Sequence, residues 1–212
     1  MSPSPFKTIW ISPRATVRRI VAENPRLHVV LLACLSGVGE SLNRASRRNA
    51  GDRFSITVIV GLACVLGPLG GLLTLWISSH LLSFTGKLIG GRGNREHLKT
   101  AIAWATVPVV FALPLWITNL LLFGSEMFTS RTPRLDSQPA LVVPFMAITL
   151  AQLILSIWSV VLLCQTVTEV QGFSSAWRGV ANVLLAAGLI VVALILLLIL
   201  ITVVRVLVTS LL

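Results

Sequence analysis

VANVLLAAGLIVVALILLLILITVV, residues 180–204, is a run of Val, Leu, Ile and Ala interrupted only by Asn182, Gly188 and Thr202. It exceeds the roughly 20 residues of helix that cross about 30 Å of hydrocarbon. A helix apolar on every side has no face to offer water, so its solvent is lipid or protein. The rest of the chain agrees: 55% of the 212 residues are hydrophobic and 11% charged, and the mean hydropathy is +0.91. A soluble domain would need more charge to cover its surface.

Working back from that run, four further apolar segments precede it, near 27–42, 54–89, 101–123 and 142–167. The fold class read from this pattern is all-α, a polytopic transmembrane helix bundle of about five spans. The weakest span by length and polarity is 27–42, which carries His28, Gly37, Gly39 and Glu40. The stretch 54–89 is longer than one crossing and is interrupted at Gly67-Pro68-Leu69-Gly70-Gly71. Pro68 removes a backbone donor, which predicts a kink in one long tilted helix, with a hairpin of two half-helices as the competing reading. Pro108 and Pro114 interrupt 101–123, so that helix is expected inside the bundle, where neighbours can satisfy the freed backbone groups. No internal repeat is evident.

Residues 1–26 form an amino-terminal arm ahead of the transmembrane domain, 27–212. Its first seven residues are polar and contain prolines, with no apolar run behind a basic start, so no cleaved signal is expected. From Ser12, a residue able to cap, through Pro13 at the first helical position to the stop ahead of Pro25, the spacing predicts a short helix. Trp10, Val17, Ile20 and Val21 fall near one stripe, and Arg14, Arg18, Arg19 and Glu23 take the remaining surface. Such an amphipathic helix is expected in the membrane interface with its guanidinium groups on lipid phosphates. A solvated arm whose arginines only set topology is the plainer alternative.

The formal charge of +10 sits in short clusters between apolar runs. That pattern fits membrane topology and anionic head groups and excludes nucleic acid as a partner. Cys34, Cys64 and Cys164 lie singly in apolar segments without metal-ligand spacing and read as small buried hydrophobes. There is no HExxH, no GxSxG and no Asp pair within a span, so no catalytic residue, metal site or cofactor is expected. A proton-coupled transporter would call for a mid-membrane carboxylate, and none is visible. Asn119, Gln152 and Gln165 read as interhelical hydrogen-bonding groups.

The richest chemistry lies in residues 86–99. Lys87, Arg92 and Arg95, with Gly90, Gly91 and Gly93 among them, suggest a loop whose amides and cations hold a lipid phosphate or a partner, against the plainer reading of a turn with topogenic charges. Gly67 and Gly71, and likewise Gly86 and Gly90, are four apart and offer small faces for close helix packing, within the chain or between copies of it.

Residues 9–21 (Ile-Trp-Ile-Ser-Pro-Arg-Ala-Thr-Val-Arg-Arg-Ile-Val) followed by Asn24-Pro25-Arg26 resemble the amino-terminal signature of bacterial Yip1-family membrane proteins. Gly90-Gly91-Arg92-Gly93, the Trp104 to Pro108 segment, and residues 171–178 (Gln-Gly-Phe-Ser-Ser-Ala-Trp-Arg) are similar to that family in the same order. The resemblance implies five spans, a cytoplasmic amino terminus and residence in a bacterial inner membrane. Eukaryotic relatives act in vesicle traffic with small prenylated GTPases, but no partner-binding motif matches here residue by residue. The function expected is therefore a non-enzymatic scaffold that associates with membrane proteins or lipids, with a small channel, transporter or lipid-moving protein built on the Pro and Gly breaks as the alternative. Charge argues against the implied topology at one point. Arg44, Arg47, Arg48 and Arg53 would face the far side, against the positive-inside tendency, unless 27–42 only dips into the membrane.

Overall fold

Ser12 stands where the chain turns into its first amphipathic helix, and a proline at the first helical position starts it. The computed structural model describes residues 4–211, and among them there are helices and no strand. After a short turn of helix, α1 (Pro5–Thr8), α2 spans Pro13–Glu23. Pro13 pre-sets the backbone angle of its first position, and Ser12 makes no side-chain capping bond, unlike the expectation from its type. Asn24, extended ahead of Pro25, ends it. His28, in the left-handed region at φ 55°, then turns the chain into α3 (Val29–Arg47).

α4 (Ile56–Leu88) runs 33 residues with Pro68 inside it, so 54–89 is one continuous helix and not a hairpin. The next column is helical over 34 residues from Arg95 to Phe128. It is divided into α5 (Arg95–Ala105), α6 (Val107–Phe111) and α7 (Leu113–Phe123). Pro108 and Pro114 each stand at the start of a new segment, where the missing N–H costs least. The small α8 (Pro133–Ser137) precedes α9 (Val142–Gln171) and α10 (Ala176–Leu211). Pro144 falls in the first turn of α9, where it is tolerated.

Among the described residues four helical columns are long and apolar enough to cross a membrane: α4, α5 to α7 with the turn that follows, α9 with the turn before it, and α10. α3 is not among them. Its 19 residues include Glu40, Arg44 and Arg47, and those charges dilute its apolar content. Outward-facing side chains remain apolar along the columns: Val65 is 65% exposed, Leu121 81% and Leu198 64%. Such faces suit lipid and not water, and the chain is an integral, multi-pass membrane protein.

The bundle has two ends. At the arm end α2 meets the last turns of α9, and Leu82 of α4 meets Gln171 and Asn182. At the far end Ser46 of α3 donates to the Met127 carbonyl (2.7 Å), and the Ser130 amide donates to Asp52 (3.0 Å). One buried cluster lies toward the arm end around Val17, Ile20, Leu32, Leu82, Leu98, Trp104 and Leu162. A smaller one joins Leu42, Ile59, Ala63, Trp116 and Phe128 toward the other.

Candidate functional site

The arm is seated on the bundle by a repeat of four residues on each partner. Arg14 Nε donates to Gln165 Oε1 and Arg18 Nε to Glu169 Oε1, both at 2.6 Å. The pairs Arg14/Arg18 and Gln165/Glu169 are each one helical turn apart, so α2 presents a two-rung ladder to α9. The hydrogen bond that Arg18 donates to Glu169, and then the charge of Glu169, raise the Arg18 guanidinium above its ordinary value. Arg18 is cationic in any case, so the contact positions it. Thr16 Oγ1 donates to Thr8 Oγ1 (2.9 Å) and to the Ser12 carbonyl (2.8 Å), binding α1 to α2.

The apolar stripe of α2 does not face outward. Val17 is 0% and Ile20 2% exposed, covered by the chain's own helices. Trp10 is half-buried and stands edge-on to Phe111, with centroids 5.7 Å apart. Trp104 Nε1 donates to the Leu27 carbonyl at 3.1 Å, Thr100 Oγ1 donates to the Pro25 carbonyl, and Phe6 leans on Trp104 at 4.8 Å. The arm is thus part of the helix bundle. Beside it, between residues 10–15 and α9, lies a cavity of about 470 Å³.

The glycine loop between α4 and α5 is organised by Gln171, at the end of α9. Gly93 N donates to Gln171 Oε1 (2.9 Å), Arg92 N to the Gln171 carbonyl (3.0 Å) and Gly91 N to the Gly86 carbonyl (2.7 Å). Gln171 Nε2 in turn donates to the Leu82 carbonyl at 2.8 Å. Asn182 Nδ2 reaches the same carbonyl (3.3 Å), while Thr85 Oγ1 donates to Asn182 Oδ1 (2.5 Å). A Cβ on Gly91 would stand 2.6 Å, and on Gly93 2.7 Å, from Gln171 Oε1. The glycines are therefore needed to let the backbone close on Gln171. Their amides have acceptors inside the protein, including Gly90 N on the Lys87 carbonyl (3.3 Å), so the expected cradle of free amides for an anion does not form. The side chains of Lys87, Arg92 and Arg95 remain exposed. Gly86 faces the Gln171 amide, whereas Gly90, at φ 87°, has nothing within 4 Å.

α3 and α4 cross backbone on backbone. A Cβ on Gly37 would collide with the Gly67 carbonyl oxygen and come within 2.8 Å of Gly71 N. One on Gly67 would lie 2.7 Å from Val38 Cα, and one on Gly71 would strike the Ala33 carbonyl. The helices run antiparallel there, Ala33 beside Gly71 and Gly37 beside Gly67. Pro68 lies next to this crossing.

At the breaks of the second column, α9 supplies partners: Ser159 Oγ donates to the Ala105 carbonyl (2.7 Å) and Thr166 Oγ1 to the Ala101 carbonyl (3.0 Å). Asn119, 1% exposed, has no hydrogen-bond partner for either side-chain polar atom, and Gln152 Nε2 has none. Of the three polar residues expected to bond between helices, Gln165 alone has a side-chain partner on another helix. Gln171 and Asn182 were missed in sequence as organising residues. Their one signal was a polar residue at each edge of an apolar run, next to a glycine-rich loop. Among the described residues no group of three or more His, Cys, Asp or Glu could hold a metal ion, and the three cysteines are free.

A sequence-family profile described as Yip1 domain matches residues 7–204. No curated protein matches the chain. No solved structure matches it.

Proposed function

Because the chain belongs to the Yip1 family, a family of non-catalytic membrane proteins, we propose that it is a membrane scaffold, without enzymatic activity, that associates with other membrane proteins or with lipids. It crosses the bacterial inner membrane five times with the arm end at the cytoplasmic face. The observation that carries the reading is the use made of polar groups at the span ends. Arg14, Arg18, Gln165, Glu169, Gln171 and Asn182 are engaged in holding helices together, so they serve a fixed shape and not turnover.

Two features support the topology. α3 runs antiparallel to α4 from beside Trp104 to beside Met127 at the far end, which supports reading it as a fifth crossing despite its charges. The arm end also carries Lys7, Arg14, Arg18, Arg19, Arg26, Lys87, Arg92, Arg95, Lys99 and Arg178, against Arg44, Arg47, Arg48, Arg53, Arg131, Arg134 and Arg205 at the other. The positive-inside tendency then favours a cytoplasmic arm. Gly61, Gly70 and Gly188, with nothing within 4 Å, leave bare backbone on which a further helix, from a second copy or another protein, can rest.

Crosslinking in native membranes followed by affinity capture tests the reading. A reproducible set of membrane proteins captured with the chain, with no flux in reconstituted liposomes, is the expected result. The second reading, a small channel, transporter or lipid-moving protein, is favoured by the unpartnered polar atoms of Asn119 and Gln152 beside the breaks at Pro108 and Pro114. Flux or lipid scrambling abolished by substitution of Pro68 or Pro108 overturns the scaffold in its favour.

A further inference from the structure

The cavity between the arm and α9 has two chemistries. Its walls are apolar and aromatic, with Trp10, Ile11, Trp158 and Val161 among them, and Arg14 and Gln165 also line it. At about 470 Å³ it falls within the roughly 300–1,000 Å³ of small-ligand pockets. Arg14 is held by its Nε on Gln165 Oε1 at 2.6 Å, and its terminal amino groups have no acceptor among the described residues. The amides of Arg14 and Ala15, in the first turn of α2, have none either, and they lie at the positive end of the helix dipole. Ile11, by contrast, is 87% exposed, with Trp158 40% and Val161 39%. A cation and open donors stand beside an exposed apolar wall, and that combination is complementary to an amphiphile with an anionic head. The apolar wall is continuous with the outward face of α9, whose solvent is the bilayer, so the amphiphile comes from the membrane.

We propose that this groove binds one anionic phospholipid, its phosphate on Arg14 and the first-turn amides of α2, and its glyceride and upper acyl chain on Trp10, Trp158 and Val161. The inference deepens the scaffold reading and rests on its claim that the arm lies at a membrane interface. The lipid is a third member of the joint between arm and α9, beside the two hydrogen-bonded rungs. A guanidinium–phosphate contact is charge-assisted and fixes the head group, whereas the indoles prefer the interfacial depth where glycerides lie.

The test is native mass spectrometry of the full-length protein in detergent, titrated with phosphatidylglycerol and with phosphatidylcholine of the same acyl chains. One phosphatidylglycerol is expected per chain, retained about tenfold more tightly than phosphatidylcholine. Arg14→Gln removes the cation and Val161→Trp fills the groove without touching charge. Each is expected to weaken retention about tenfold, while Val65→Trp, on a lipid-facing surface of α4, leaves it unchanged. Inorganic phosphate is expected not to displace the lipid. Equal retention of the two lipids, indifference to both groove substitutions, equal loss with Val65→Trp, or displacement by inorganic phosphate each overturns the proposal. Should Arg14→Gln unseat the arm, Val161→Trp still decides. Flux that defeats the scaffold reading leaves lipid retention unmoved, and failed retention leaves the captured protein set intact.

Discussion

Gly70 and Gly71 are neighbours in one helix, and the structure gives them opposite fates on substitution by alanine. Nothing lies within 4 Å of a Cβ on Gly70, so Gly70→Ala adds helix propensity alone, a gain of at most about 1 kcal/mol. On Gly71 the same methyl meets the Ala33 carbonyl oxygen, stands 2.9 Å from the Ala33 carbonyl carbon and 3.1 Å from Gly37 Cα, where ordinary contact begins at 3.4 Å. The obstructing atoms are backbone, so no side chain can swing aside and α3 must move off α4. Overpacking of this kind costs about 1–3 kcal/mol, and separating two close-packed helices adds lost dispersion along the crossing. Gly71→Ala is therefore expected about 2 kcal/mol less stable than Gly70→Ala, read by unfolding in mixed detergent micelles with helical circular dichroism as the signal. Gly37→Ala should behave like Gly71→Ala. The double variant should cost less than the two singles together, because helices parted by one methyl have room for the second. If Gly71→Ala is as stable as Gly70→Ala, α3 does not rest on α4, and the fifth crossing loses its support.

Three other outcomes follow from the polar contacts. Gln171→Leu leaves Gly93 N without its acceptor, at about 1–3 kcal/mol, and hydrogen exchange should rise selectively in the 86–94 loop. Arg18→Gln should shift overall stability by no more than about 1 kcal/mol, since Arg18 is 71% exposed. It should nevertheless weaken a cysteine crosslink between arm and α9, and the exchange of charges Arg18→Glu with Glu169→Arg should restore it. At the far end the Ser130 amide holds the Asp52 carboxyl below its ordinary value. The contact thus contributes fully above the ordinary carboxylate range and is lost as pH falls through the depressed value. Protection of the Ser130 amide against exchange should fall over that acidic window, and in Asp52→Asn it should be low and flat across it.

The residues that announce helices in lipid were plain in the sequence, because their signal is local: an unbroken apolar run, a proline that cannot donate, a glycine pair at helical spacing. What Gln171 does was not legible, because it depends on segments far apart in the chain meeting at one amide, Gly93 giving its N–H and Leu82 its carbonyl, to which Asn182 also donates. The arm shows the same limit from the other side. Its stripe of Val17 and Ile20 reads as amphipathic whether the apolar partner is lipid or protein, since periodicity reports a buried face and not what buries it. Only the position of Gln165 and Glu169 one turn apart on α9, opposite Arg14 and Arg18, decides for protein.

The charge conflict on residues 43–53 has a related origin. Counting the arginines of this segment alone sets four of them against the positive-inside tendency, but that tendency compares Lys and Arg at the two ends, and acidic neighbours weigh little in it. Glu40 lies 3.6 Å from Arg44 and 3.2 Å from Arg47, and Asp52 stands in the same turn as Arg53. The arm end carries ten of the seventeen Lys and Arg, and the far end, with Arg205 near the end of α10, carries seven. The positive-inside tendency favours the end with more Lys and Arg as the cytoplasmic one, so the cluster that argued for four spans is compatible with five.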